Sequence, residues 1–279
     1  MISTSSVSCP VIPTFAQPVT GCESSANQAP SATSDVVDTL EVRANAATLP
    51  PKVAAAKREL LALAKANTTN LDGLAETRAQ MEPHLKVLGD YFQDLKTRGV
   101  VTDAKEQSLT TGVWRSRWFD DADVGDVGPL KLNRDRVWQI VKPVEEGSDK
   151  SYFYNAFEYN VEVGGFLLGK ARGFLRGMFG FSKSEPVATG SRLGVDLEFT
   201  YNGLKPFGFT KGDSVAAIVD DVEDGGFSSV GVPGPIGVTG RLRNLYIDED
   251  IRIAEGVQLT ESDINARDVY IQERSDRVD

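Results

Sequence analysis

Histidine and cysteine are almost missing from this chain of 279 residues: there is 1 His, His84, and there are 2 Cys, Cys9 and Cys22. A single histidine rules out most His-built zinc sites and leaves a Ser-His-Asp triad only one candidate base. The two cysteines lie in a polar N-terminal stretch with no CxxC spacing, so neither a disulfide scaffold nor a thiolate zinc site is expected. Positive charge is also short. The 30 Lys and Arg face 40 Asp and Glu, for a net charge of −10, whereas a diffuse nucleic-acid binder needs a positive field to recruit phosphates. No apolar run approaches the roughly 20 residues of a spanning helix. A Walker-type phosphate loop is absent, and Gly231-Val232-Pro233-Gly234-Pro235-Ile236-Gly237 reads as a turn because no βα unit surrounds it.

What remains is an ordinary globular composition, 41% hydrophobic and 25% charged, distributed unevenly along the chain. Residues 1–51 are rich in Ser, Thr, Ala and Pro and carry no apolar period, so they read as a disordered leader, either a plain linker or a targeting segment. Residues 52–99 form a helical region. Val53, Ala56, Leu60, Leu61, Leu63 and Ala64 recur at helical spacing. After a break at Asn67-Thr68-Thr69-Asn70, a second helix is expected from about Leu71 to Leu95, with Pro83 kinking or splitting it. Each apolar stripe needs a surface to pack on.

Residues 100–279 have a different texture. Short β-rich runs alternate with turn signals, and strands are expected near 112–119, 135–143, 151–163, 170–182, 191–201, 214–220, 236–247 and 267–273. Leu193, Val195, Leu197, Phe199 and Tyr201 alternate with polar neighbours. Many strands with no interleaved helices point to a mainly β antiparallel barrel or sandwich, and closure, which removes edges, favours the barrel.

Three stretches resemble one family. The helix Lys57-Arg58-Glu59-Leu60-Leu61, followed by Asn70 and Arg78, is similar to the helical opening of the plastid lipid-associated proteins, or plastid fibrillins. Gly112-Val113-Trp114-Arg115-Ser116-Arg117-Trp118 is similar to their first strand, with Trp118 where Tyr is usual. Leu245-Tyr246-Ile247-Asp248-Glu249-Asp250-Ile251-Arg252-Ile253 follows their C-terminal signature. The resemblance covers about residues 52–274 and implies a lipocalin-like antiparallel β-barrel with two N-terminal helices. It also implies a chloroplast thylakoid or plastoglobule location, or a cyanobacterial thylakoid, and a structural or carrier role toward lipids, carotenoids or quinones.

From that resemblance Trp114 is expected to plug one end of the barrel or to touch a ligand, with Arg252 lying over its ring, and Trp118 is grouped with them. Asp248, Glu249 and Asp250 read either as carboxylates for a divalent cation or, more simply, as a tight turn paired to Arg241, Arg243 and Arg252; no metal is assigned. Residues 164–183 contain no acid and interleave Lys170, Arg172 and Arg176 with Phe174 and Phe179. That pattern suits a membrane-surface contact, the alternative being a plain barrel hairpin. The function expected is a non-enzymatic lipid-associated barrel binding a carotenoid, quinone or lipid at photosynthetic membranes. The alternatives are a barrel enzyme or lyase acting on a pigment or isoprenoid, and a structural subunit of a photosynthetic complex. No catalytic residue is assigned.

Overall fold

The computed structural model describes residues 49–120, 128–183, 190–207, 230–231, 237–258 and 267–275, all within the unit Leu49–Asp279. The expected leader, up to residue 48, and the strand expected at 214–220 lie outside the described residues.

Two helices come first. α1 (Pro51–Ala66) starts with proline at its first position, where the missing N–H has no helical partner to lose. It buries Val53, Ala56, Leu60 and Ala64 on one stripe. α2 (Leu74–Thr97) buries Met81, Leu85, Leu88 and Phe92 on its own stripe, and it runs as one helix through Pro83. A third helix, α3 (Asp103–Thr110), joins the two that the sequence predicts. Its buried positions are Glu106 and Thr110, both polar, so it carries no apolar period to announce it. Thr102 caps it, its hydroxyl accepting from the Lys105 N–H at 3.2 Å.

The strands are β1 (Gly112–Phe119), β2 (Leu130–Val141), β3 (Lys150–Val163), β4 (Phe166–Lys183), β5 (Leu193–Phe207), β6 (Val230–Gly231), β7 (Thr239–Ile247), β8 (Ile251–Gln258) and β9 (Arg267–Arg274). Every pairing is antiparallel. The order β4-β3-β2-β1-β9-β8-β7-β5 closes through a β4–β5 pairing, giving a barrel of eight strands to which β6 adds a short edge on β5. The lipocalin-like barrel with two helices ahead of it is therefore the fold, with α3 inserted between those helices and β1.

Which face of each strand looks inward follows from one hydrogen bond. Arg252 on β8 donates to Gln139 on β2, although β9 and β1 separate those strands. Only the concave side of a closed sheet lets side chains meet across two intervening strands. Registers then place Trp114, Ser116, Gln139, Asn155, Asn244, Gln272 and Arg274 on the inner face. Val269 and Ile271 on β9, and Ile251 and Ile253 on β8, fall on the opposite, outer face. There they join Leu60, Leu85, Leu88 and Phe92 in one apolar cluster. The Phe92 ring meets Tyr246 edge-on at 6.0 Å. Ion pairs clamp the same contact. Lys57 reaches Asp248 at 2.6 Å and Asp250 at 2.9 Å, Lys65 reaches Glu273 at 2.9 Å, and Arg78 reaches Asp120 at 2.6 Å. A second cluster, Val113, Trp138, Ile140, Ala156 and Phe174, occupies the outer face of β1–β4.

Candidate functional site

One end of the barrel is sealed by α3. The Glu106 carboxylate, fully buried, accepts from Ser191 Oγ at 2.6 Å and from Asn244 Nδ2 at 2.8 Å, and pairs with Lys96 of α2 at 2.9 Å. Burial pulls the Lys96 ammonium down, but Asp103 and Glu106 together outweigh it and leave it raised. The next turn of α3 supplies Thr110, whose carbonyl accepts from Trp114 Nε1 at 2.9 Å. Trp114 is thus fully buried at the α3 end of the barrel and tied to that helix.

The cation over that ring is not Arg252. Arg274 lies 4.1 Å from the Trp114 ring centroid, because β9 pairs Arg274 directly with Trp114. Its guanidinium also donates to the carbonyls of Glu249, Thr111 and Leu109. Arg252 sits deeper. Its Nε donates to Asn244 Oδ1 at 2.9 Å, and its Nη1 donates to Gln139 and to Gln272 Oε1. Gln139 in turn donates to Asn155 Oδ1 at 3.1 Å. Arg252 and Trp114 therefore share one end of the barrel, joined through Asn244 and Thr110.

Arg252 is the unusual group of the interior. It is 1% exposed, and its hydrogen-bond acceptors are neutral amides; among the described residues none accepts from Nη2. Burial pushes its guanidinium down to about 10, with Glu106 opposing the shift and Arg274 assisting it. It therefore remains a cation at neutral pH. A buried cation normally has a carboxylate against it, since desolvation costs several kcal/mol. Trp114, Phe153 and Phe179 share the inner face with Arg252, and all three are buried. Farther toward the other end, Phe119 stacks on Tyr270 at 6.4 Å and carries Arg134 over its face at 3.7 Å. The interior is thus aromatic walling with a buried positive head.

The other sequence assignments divide. Trp118 is not an interior residue: a bulge between Ser116 and Trp118 pairs Trp118 with Ile271 and turns it to the outer face, into the cluster under the helices. Arg172, Phe174 and Phe179 are buried and offer no surface to a bilayer. Arg172 pairs with Glu158 at 3.1 Å, beside Arg136 on the same carboxylate. Phe174 belongs to the outer cluster of β1–β4, and Phe179 to the inner wall. Arg176 is half-buried between Tyr152 and Tyr201, at 5.8 and 5.5 Å; Lys170 is half-buried at the level where β5 ends. The acidic triplet is a turn. Asp248 Oδ1 accepts from the N–H groups of Asp250 and Ile251, and its other oxygen accepts from the Tyr246 hydroxyl at 2.6 Å. Its cation is Lys57 rather than the expected arginines. Arg241 instead pairs with Asp196 and Arg243 with Glu255. Among the described residues no cluster of carboxylates, His or Cys is arranged to hold a metal.

Sequence reasoning missed Glu106, Gln139, Asn244, Gln272 and Arg274. The signal was present in β9, where Gln272 and Arg274 alternate with Val269 and Ile271. An isolated sheet would turn its polar face to water. Here helices cover the apolar face and the polar face points in. No family model matches the chain, and no curated protein or solved structure matches it.

Proposed function

We propose that this protein is a non-enzymatic, lipid-associated barrel that holds a hydrophobic small molecule, a carotenoid, quinone or acyl lipid, and associates peripherally with photosynthetic membranes. One observation carries the reading: Arg252, a fully buried guanidinium inside a closed barrel, faced by neutral amides and sharing its face with aromatic side chains. An electronegative head, a carboxylate or a quinone carbonyl, would add a stronger acceptor than the neutral amides that this guanidinium now meets, while an apolar body would lie against the rings. The stretch Leu245–Ile253, which resembles the plastid lipid-associated proteins, builds both the turn that holds Lys57 and the strand that carries Arg252. That resemblance supports the photosynthetic setting.

The experiment is purification from native cells, organic extraction and mass spectrometry of the extract. The expected result is one amphipathic molecule with an oxygen-bearing head, near one per chain. Protein that carries none, and takes up none from a total lipid extract, would contradict the reading.

A further inference from the structure

We infer that the tip of the β3–β4 hairpin is the element that enters a lipid bilayer; this deepens the lipid-association reading by naming its surface. Gly164 and Gly165 both have positive φ, 59° and 82°, the geometry of a tight two-residue hairpin turn that glycine adopts without strain. Around it Phe166 is 75% exposed, Leu168 61%, Val163 54% and Leu167 48%. Val163 pairs with Phe166 and Glu162 with Leu167, so Val163 and Phe166 share one face and Leu167 lies on the other. Leu168 is the extra residue of a bulge between them and Gly169.

Among the described residues, the tip also extends past the strands that flank it: β2 pairs no farther than Val161, and β5 no farther than Lys170. Beyond those levels lie Glu162 and Val163 on β3, with the Glu162 N–H still donating to the Pro129 carbonyl, and Phe166 to Gly169 on β4, so the shorter arm reaches on the order of 7 Å at about 3.3 Å per residue. Interfacial elements bury their apolar groups to about that depth. It projects from the end of the barrel opposite α3, as the register of Gly112 with Val141 and of Leu130 with Val161 requires.

A protein groove grips one face of a ribbon. Apolar groups on both faces and at the turn call for a medium that surrounds the tip, which is hydrocarbon. On β4 the charge agrees with this: no acid occurs from Val163 to Ser184 in a chain of net charge −10, and the first charged group above the tip is Lys170, while on β3 the Glu162 carboxylate, opposite Leu167, marks the upper limit of the apolar tip. Lys170 places a cation at headgroup level. The cations and rings farther up β4 play no part in insertion, because they are paired or buried.

The test uses vesicles of phosphatidylcholine with roughly one third phosphatidylglycerol. A Phe166→Trp variant is read by quenching from lipids brominated on their acyl chains. Trp114, Trp118 and Trp138 are buried, so quenching beyond that of wild type reports the tip. Flotation compares wild type with F166S/L167S/L168S and with Lys170→Glu. The expected result is added quenching in Phe166→Trp together with at least tenfold weaker flotation of the triple variant, and a smaller loss for Lys170→Glu. If wild type floats but Phe166→Trp shows no added quenching, the tip is wrong and another surface carries the membrane association. If wild type does not float, the membrane reading falls with it. A wild-type dimer that the triple serine variant dissociates, without vesicle binding, would make the tip a self-association surface and overturn the inference.

Discussion

The two ends of the barrel are built from opposite materials. At the α3 end, polar groups are buried and each has several partners: Glu106 alone joins α2, Ser191 and β7. At the hairpin end, apolar groups are exposed: Val163, Phe166, Leu167 and Leu168 stand in the open. An ordinary soluble fold would hide the second set and show the first. The inversion teaches that the α3 end is held by specificity of hydrogen bonding, so substitutions there act on folding. At the hairpin end the large apolar side chains face solvent, so substitutions there are expected to act on what the protein meets rather than on folding.

The largest expected effect is at the sealed end. Glu106→Ala removes the acceptor of three buried or half-buried groups and leaves Lys96 facing Asp103 alone; it is expected to cost about 3 kcal/mol in urea unfolding, the range for breaking a buried pair. A loss under about 0.5 kcal/mol would show that α3 is not a structural seal. Next comes a comparison along β4. A Cβ at Gly177 would lie 2.2 Å from the Phe153 ring and 2.8 Å from the Glu198 carbonyl oxygen, whereas one at Gly169 meets nothing within 4 Å. Gly177→Ala is expected to destabilise by about 2 kcal/mol and Gly169→Ala by less than about 0.5 kcal/mol. Equal losses would break the contrast between packed wall and free tip.

Acid should separate the helix-covered wall from the tip as well. Burial pushes the Glu273 carboxyl up, but hydrogen bonds from Lys65 and Arg117 outweigh it and hold it below its ordinary value of 4.5. A lowered folded value means that its contribution is fully present above about 4.5 and is lost as pH falls through the folded value. The urea midpoint should therefore drop as pH falls below about 4.5, and Glu273→Gln should flatten part of that slope. A variant slope equal to that of wild type would remove this pair from the helix–barrel contact. The smallest effect is on the tip itself: F166S/L167S/L168S should leave stability within about 0.5 kcal/mol of wild type, since these side chains contact solvent rather than core.

Much of the barrel was legible because alternation and turn residues mark strands locally. The glycines at 165, 169, 173 and 177 recur every four residues, a pattern that by itself is ambiguous. Their spacing of four suits a helix face, but it is also twice the strand period. In the structure Gly173 and Gly177 lie under Tyr159 and Phe153, where a Cβ would come within 2.7 and 2.2 Å. The interior was less legible. Arg252 stands out in the sequence, but its partners Gln139, Asn244 and Gln272 come from three other strands, and nothing in one strand foretells a meeting across a closed sheet. Trp118 departs from expectation through a single inserted residue, since a bulge flips every side chain beyond it. α3 escaped notice because its function is to bury polar groups.

The central claim is that a buried guanidinium recognises the electronegative head of an apolar ligand. The most direct measurement is the affinity of a fluorescent fatty acid against its methyl ester, for wild type, Arg252→Met and Arg252→Lys. Wild type should bind the acid at least about tenfold tighter than the ester, Arg252→Met should lose that preference while still binding both, and Arg252→Lys should keep part of it. Wild-type protein that binds acid and ester equally, or an acid preference that survives in Arg252→Met, would contradict the account.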